Sequence, residues 1–183
     1  MSSKPFFLLT AFGKDRPGIV AGVTKVLFDL GANLEDASMT RLGGEFSMML
    51  VTALPAGTSA AKLQKAFGLL AKKLGLEIAA KPIPASAARL SKQEPPKFLI
   101  SVYGTDRAGI VHRVTEALAK RRVSVTDLQT KVIGTSPKPT YVMLLEIQVP
   151  STLDLDDLRT ELDQLHQDLK VEVSLQDIEA IPL

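Results

Sequence analysis

The sequence predicts an α+β chain built from two copies of one βαββαβ unit, each folding as a four-stranded antiparallel sheet with two helices on one face. Three observations predict it. An octapeptide occurs twice, as Gly13-Lys14-Asp15-Arg16-Pro17-Gly18-Ile19-Val20 and, 91 positions later, as Gly104-Thr105-Asp106-Arg107-Ala108-Gly109-Ile110-Val111. Around both copies the hydrophobic period changes in the same order, from strand-like to helix-like and back. Between the halves, Pro82 to Pro96 holds four prolines, which marks a linker. The expected boundaries are 1–82 for the first unit, 83–96 for the linker and 97–183 for the second unit.

In the first half, Phe6 to Phe12 is apolar except for Thr10, as a strand buried on both faces would be. Ile19, Val20, Val23, Val26, Leu27 and Leu30 form one helical stripe, and Gly31 supplies its stop. Leu34 to Leu42, with polar Asp36, Ser38 and Thr40, reads as a strand with one wetter face. Gly43-Gly44 signals a hairpin. Phe46 to Leu54 is a further apolar strand ending at Pro55. Leu63, Phe67, Leu70 and Leu74 mark a second helix, Gly75 its end, and Leu76 to Lys81 a final strand.

The second half repeats this order. Phe98 to Tyr103 is the first strand, and Ile110, Val111, Val114, Ala117 and Leu118 form the first helical stripe. Val125 to Ile133 matches the wet-faced strand, Asp127 standing where Asp36 stood. A longer hairpin, Gly134 to Pro139, replaces the double glycine, and Tyr141 to Val149 then aligns with Phe46 to Leu54. Leu155, Leu158, Leu162, Leu165 and Leu169 make the second helix; Val171, Val173 and Leu175 alternate as the last strand. With right-handed crossovers each unit is a ferredoxin-like sandwich, its first and third strands central and its second and fourth at the edges.

Composition narrows the function. The 183 residues are 45% hydrophobic and 23% charged, ordinary for a globular protein. No apolar run approaches the roughly 20 residues that span a bilayer, and Met1 to Pro5 lacks a signal peptide's layout. Absence of cysteine excludes disulfides and thiolate metal sites. The expected location is the cytoplasm of a bacterial-type cell. Net charge is +2, but the halves differ: through Arg89 there are 11 basic and 6 acidic residues, and from Leu90 onward 11 and 14. The acidic excess between Asp154 and Asp168 reads as a solvated helix face.

The recurring turn is the candidate site. A tight corner with an acid and a glycine, between a strand and a helix, leaves the helix's first N–H groups facing outward. Those donors and the positive end of the helix dipole suit an anion or a carboxylate. Asp15 and Asp106 stand where capping side chains would, and Pro17 where a first-turn proline is tolerated. The plainer alternative is a turn with a cap and nothing more.

The strand, the Asp15-Arg16-Pro17-Gly18-Ile19-Val20 turn, the helix ending in Gly31-Ala32-Asn33-Leu34 and the hairpin strand after Gly43-Gly44 resemble an ACT domain. The likeness covers both halves. A stand-alone pair of such domains most resembles the glycine cleavage system transcriptional repressor group. The resemblance implies a sensor of small amino acids, with ligand held between two ACT units near the turn and the start of the second strand. Carried onto this chain, the site residues are Asp15, Arg16, Gly18, Ile19 and Asn33, and in the second copy Asp106, Arg107, Gly109, Ile110 and Ser124. Asn33 offers donor and acceptor together, or simply terminates a helix. The second copy departs from the pattern, with Ala108 for Pro17, Arg122 for Gly31 and Ser124 for Asn33, so the first unit is the expected better binder.

Other classes fit less well. His112 and His166 are the only histidines, some fifty residues apart, and no Ser-His-Asp order, paired metal ligands or P-loop appears. Asp36 and Asp127 recur in separate units and make no acid/base pair. Aromatic residues are only 5%, against the base-stacking aromatics that an RNA-recognition sheet needs, and the basic cluster from Arg107 to Arg122 reads as solvated helix ends. The expectation is therefore a non-enzymatic, cofactor-free regulator. It binds a small amino acid, forms a homo-oligomer and controls transcription of glycine-cleavage-type metabolism through a protein partner, without touching nucleic acid or membrane. The alternatives are an allosteric subunit of an amino-acid enzyme and, behind it, a nucleic-acid-binding module.

Overall fold

The computed structural model describes residues 4–88, 96–134 and 139–178. The chain divides into two compact units, Met1–Lys92 and Gln93–Leu183. The first contains β1 (Phe6–Lys14), α1 (Ile19–Asp29), β2 (Asn33–Leu42), β3 (Glu45–Ala53), α2 (Ala60–Leu74), β4 (Leu76–Ile83) and a one-turn α3 (Ala85–Ala88). The second contains β5 (Lys97–Thr105), α4 (Ile110–Lys120), β6 (Ser124–Ile133), β7 (Thr140–Gln148), α5 (Leu155–Leu169) and β8 (Val171–Asp177). Their sheets have the orders β2-β3-β1-β4 and β6-β7-β5-β8, antiparallel throughout. The two most apolar strands of each unit are central, as expected. The stretch from 83 to 96 is not all connector: Ile83 still belongs to β4, and α3 follows with Ala88 buried.

Each unit has its own core. In the first, Phe7, Leu9 and Ala11 of β1 and Phe46, Met48 and Leu50 of β3 meet Ile19, Val23 and Leu27 of α1 and Leu63 and Phe67 of α2. In the second, Ile100, Val102, Met143 and Leu145 meet Val114, Leu118, Leu158 and Leu162 in the same way. The continuous apolar run of β1 is buried on one face only. Phe6, Leu8 and Thr10 are half-buried and Phe12 is exposed, because both helices lie on the same side of the sheet and leave the other face uncovered within the unit. β2 and β6 differ further from expectation. Instead of one wet face, all ten residues of each are exposed, as befits strands at the uncovered edge of the sheet. Both carry a register shift at matching places, Leu34/Asp36 and Val125/Asp127.

Helix ends explain several substitutions between the copies. Gly31 follows α1 at φ 67°, the left-handed C-terminal geometry that glycine adopts without strain. Its counterpart Arg122 takes φ 59°, and Lys170 takes φ 51° where the first unit has Gly75. Each non-glycine residue there costs roughly 1 kcal/mol. Arg122→Gly and Lys170→Gly should each stabilise the second unit, by about 0.5–1 kcal/mol after the entropy of the added glycine is counted. Urea titration followed by circular dichroism measures this; a loss of stability would show that the side chains contribute more than the strain they impose.

Candidate functional site

Helices α1 and α4 begin on glycine. Gly18 is the N-cap of α1 at φ 94° and Gly109 the N-cap of α4 at φ 97°, and no side chain caps either helix. α2 and α5 start conventionally, with Ser59 accepting from the Lys62 N–H and Asp154 from the Asp156 N–H. Asp15 and Asp106, expected as caps, lie three residues too early, and Pro17 stands before the cap rather than inside the first turn. The reason is the left-handed glycine, which turns the chain into the helix and leaves the acid behind it on the strand side.

The first helical bonds run from the Gly22 N–H to the Gly18 carbonyl at 2.8 Å and from the Arg113 N–H to the Gly109 carbonyl at 2.9 Å. The amides of Ile19, Val20 and Ala21, and of Ile110, Val111 and His112, therefore precede any helical bond and project from the positive helix end. A β-carbon built on Gly18 or Gly109 would meet nothing within 4 Å, so their surroundings are open. Gly13, the other glycine of the motif, has a packing reason instead: a β-carbon there would lie 2.7 Å from the Gly75 carbonyl oxygen.

In the first unit this corner opens on a groove of about 510 Å³. Its wall is the turn and first residues of α1, and Met39 of β2 and Phe46 of β3 complete it. Such a volume suits a small molecule. Asp15 is held in place: its N–H donates to the Gly44 carbonyl at 2.9 Å, and its carboxylate accepts from Arg41 Nη1 at 3.2 Å. Arg16 is exposed at the rim, and Ile19 is buried beneath. Asn33 is elsewhere. It pairs with Ala53 at the far end of β2, while Leu42, beside the turn, pairs with Glu45. At about 3.3 Å per residue that separation is roughly 30 Å. Asn33 donates instead to Glu35 at 2.8 Å. Ser124 occupies the same remote place in the second unit, opposite Gln148. Within one unit, the structure thus groups Asp15, Arg16, Gly18 and Ile19, and likewise Asp106, Arg107, Gly109 and Ile110, without Asn33 or Ser124.

Four contributors are absent from the residues expected from sequence: Phe46, which the pattern shows only as part of an apolar strand, and Met39, Arg41 and Tyr141. Met39 and Arg41 lie on a strand read only for its polar alternation. Tyr141, aligned with Phe46, carries a buried hydroxyl with no hydrogen-bond partner among the described residues. Burial, and then the nearby Asp106 carboxylate, push that hydroxyl above the usual phenol value of 10.0. A second hollow, about 430 Å³ between α4 and α5, is a weaker candidate because its charges already pair: Arg121 with Glu161 at 2.7 Å and Arg113 with Asp168 at 3.5 Å. His112 is exposed, and His166 faces Glu172 at 3.6 Å. Among the described residues no cluster could hold a metal ion, and no helix is long and apolar enough to cross a membrane.

Two ferredoxin-like units, each with a glycine-capped helix at the same corner, make a tandem repeat of one small α+β module. The chain belongs to the ACT domain family, whose profile matches residues 5–81 and 97–176. A UPF0237 protein of Methanopyrus kandleri is 42% identical over 72 residues, 39% of this chain and 80% of that protein. The glycine cleavage system transcriptional repressor of Escherichia coli is 23% identical over 176 residues, covering 96% of this chain and 90% of its own. The crystal structure of an unknown protein from Galdieria sulphuraria superposes with a TM-score of 0.80 at 24% identity, over 96% of this chain and 99% of that one.

The unpartnered hydroxyl has a measurable consequence. Tyr141→Phe should stabilise the second unit by about 1 kcal/mol, since a buried donor without a partner is removed. The wild type should also lose stability as pH rises past 10, where the unfolded tyrosine ionises and the folded one resists; Tyr141→Phe should remove that part of the slope. Chemical denaturation at pH 7 and pH 10.5 reads both effects, and a destabilised variant would reveal a hydrogen bond at this hydroxyl.

Proposed function

We propose that the protein is a non-enzymatic cytoplasmic sensor of small amino acids that regulates transcription of glycine-cleavage-type metabolism through a protein partner. The observation that carries this reading is the pair of uncapped helix N-termini, each beginning at a left-handed glycine with open space around it. α2 and α5 each begin with a capping side chain, which contributes about 1 kcal/mol over a residue that offers no cap; its omission at the same corner of both units leaves donors for an outside acceptor. An amino-acid carboxylate supplies that acceptor. Tandem ACT domains and the likeness to the Escherichia coli repressor support a regulatory role.

Ligand binding regulates only through a difference in affinity between two states of the protein, and the coupling equals that difference. The exposed edge strand β2 offers such a state, since it can pair with β2 of a second copy. Antiparallel pairing in full register would bring Asn33 of one copy opposite Leu42 of the other, beside its turn. Asn33 would then join the ligand from the neighbouring copy, and assembly would depend on occupancy.

The test is calorimetric titration of the full chain with glycine and each L-amino acid. Wild type should take up two ligands per chain. Gly18→Asp places a carboxylate where one is to be received, and uptake should fall to one per chain with the fold unchanged by circular dichroism. Gly18→Asp combined with Gly109→Asp should abolish binding. Undiminished affinity in the double variant would exclude the turns as the site.

A further inference from the structure

The two turns share a backbone but differ in the side chains behind it, and the difference is chemical. In the first unit, Arg41 and Phe46 are cross-strand partners, and Arg41 holds the Asp15 carboxylate at 3.2 Å. The corresponding cross-strand pair in the second unit is Val132 and Tyr141. Val132 cannot neutralise an acid, so Asp106 has neither hydrogen bond nor ion pair among the described residues. Tyr141 lies directly across from Gly104, two positions before Asp106, and is 8% exposed. Its ring takes the place of Phe46, which lines the first unit's groove. The added hydroxyl lies within electrostatic reach of Asp106 and has no hydrogen-bond partner among the described residues.

We propose that the second turn is selective for a free α-amino acid, whereas the first accepts carboxylates with or without an amine. This rests on the reading of the turns as carboxylate sites. At the second turn the ligand carboxylate takes the amides of Ile110 and Val111, the Tyr141 hydroxyl donates a further bond to it, and Asp106 receives the ammonium group. At the first turn the acid is already satisfied by Arg41, and Phe46 presents no polar atom. The ammonium group then has no anion to meet. A buried donor left without a partner strengthens the binding of any carboxylate that satisfies it, so Tyr141 adds affinity at the second turn, and Asp106, which alone meets the ammonium group, is the specificity-determining residue there.

Calorimetry on single-site chains separates the possibilities, with each amino acid paired with the carboxylic acid that lacks its amine: glycine with acetate, L-alanine with propionate, and so through the series. In Gly18→Asp, which leaves the second turn open, the amino acid should bind at least about tenfold more tightly than its partner acid. Adding Asp106→Asn should erase that preference. Adding Tyr141→Phe should weaken the amino acid by about tenfold or more without lowering the melting temperature. In Gly109→Asp, which leaves the first turn open, the two ligands should bind alike. Equal binding in the Gly18→Asp chain, or a preference that survives Asp106→Asn, overturns the assignment while the sensing function stands. If wild type takes up none of these compounds, both the assignment and the sensor reading fall.

Discussion

The site follows from how two helices begin. An α-helix has three or four amide groups at its start with no partner inside the helix, and a protein ordinarily satisfies some of them with a Ser, Thr, Asp or Asn at the N-cap. α2 and α5 do so. α1 and α4 instead place a left-handed glycine there, a conformation that a residue with a β-carbon adopts only with strain. The glycine aims the chain off a central strand and into the helix over a short corner, and it brings no side chain to shield the amides. The sheet then sets the rest: β1 and β3 are central and rigid, so the corner has a fixed position relative to the groove wall contributed by Met39 and Phe46.

The same backbone is filled differently in the two units. α1 packs on α2 through Gly22, where a β-carbon would lie 2.7 Å from Leu70 Cδ1. At the equivalent helix contact the second unit has Arg113, which pairs with Asp168, while Arg121 pairs with Glu161. These partly exposed pairs contribute little each. Apolar contact holds the helices together in one unit, and in the other a row of ions runs along the outside of a similar core. The turns diverge by an equally small change, Arg41 and Phe46 against Val132 and Tyr141. Two copies under one constraint on architecture have thus kept the corner and changed what stands beside it.

Most of the architecture could be read in the chain, because repetition and hydrophobic period are one-dimensional signals. The strand and helix order, the central and edge strands and the stop at Gly31 all follow from them. What could not be read depends on which faces are covered. The continuous apolar run of β1 looks doubly buried, yet one layer of helices covers only one side. The cap differs from expectation for another reason: Asp15 has the chemistry of a cap, but the chain turns into the helix only at the left-handed Gly18. The turn residues of the site were read from the repeat, whereas Arg41 and Tyr141 enter through strand pairing, which composition does not reveal. Asn33 and Ser124 illustrate the converse, being near in the family pattern and far along the sheet within a single unit.

The central claim is that the bare amides at the starts of α1 and α4 receive a carboxylate. Amide shifts of ¹⁵N-labelled protein during titration with amino acids test it most directly, because hydrogen-bonded amide protons report their acceptors individually. The account predicts that Ile19, Val20, Ile110 and Val111 shift downfield as ligand is added, while the amides capped by Ser59 and Asp154 stay where they are. Shifts confined to other parts of the two sheets, with these four amides unmoved at saturating ligand, would contradict it.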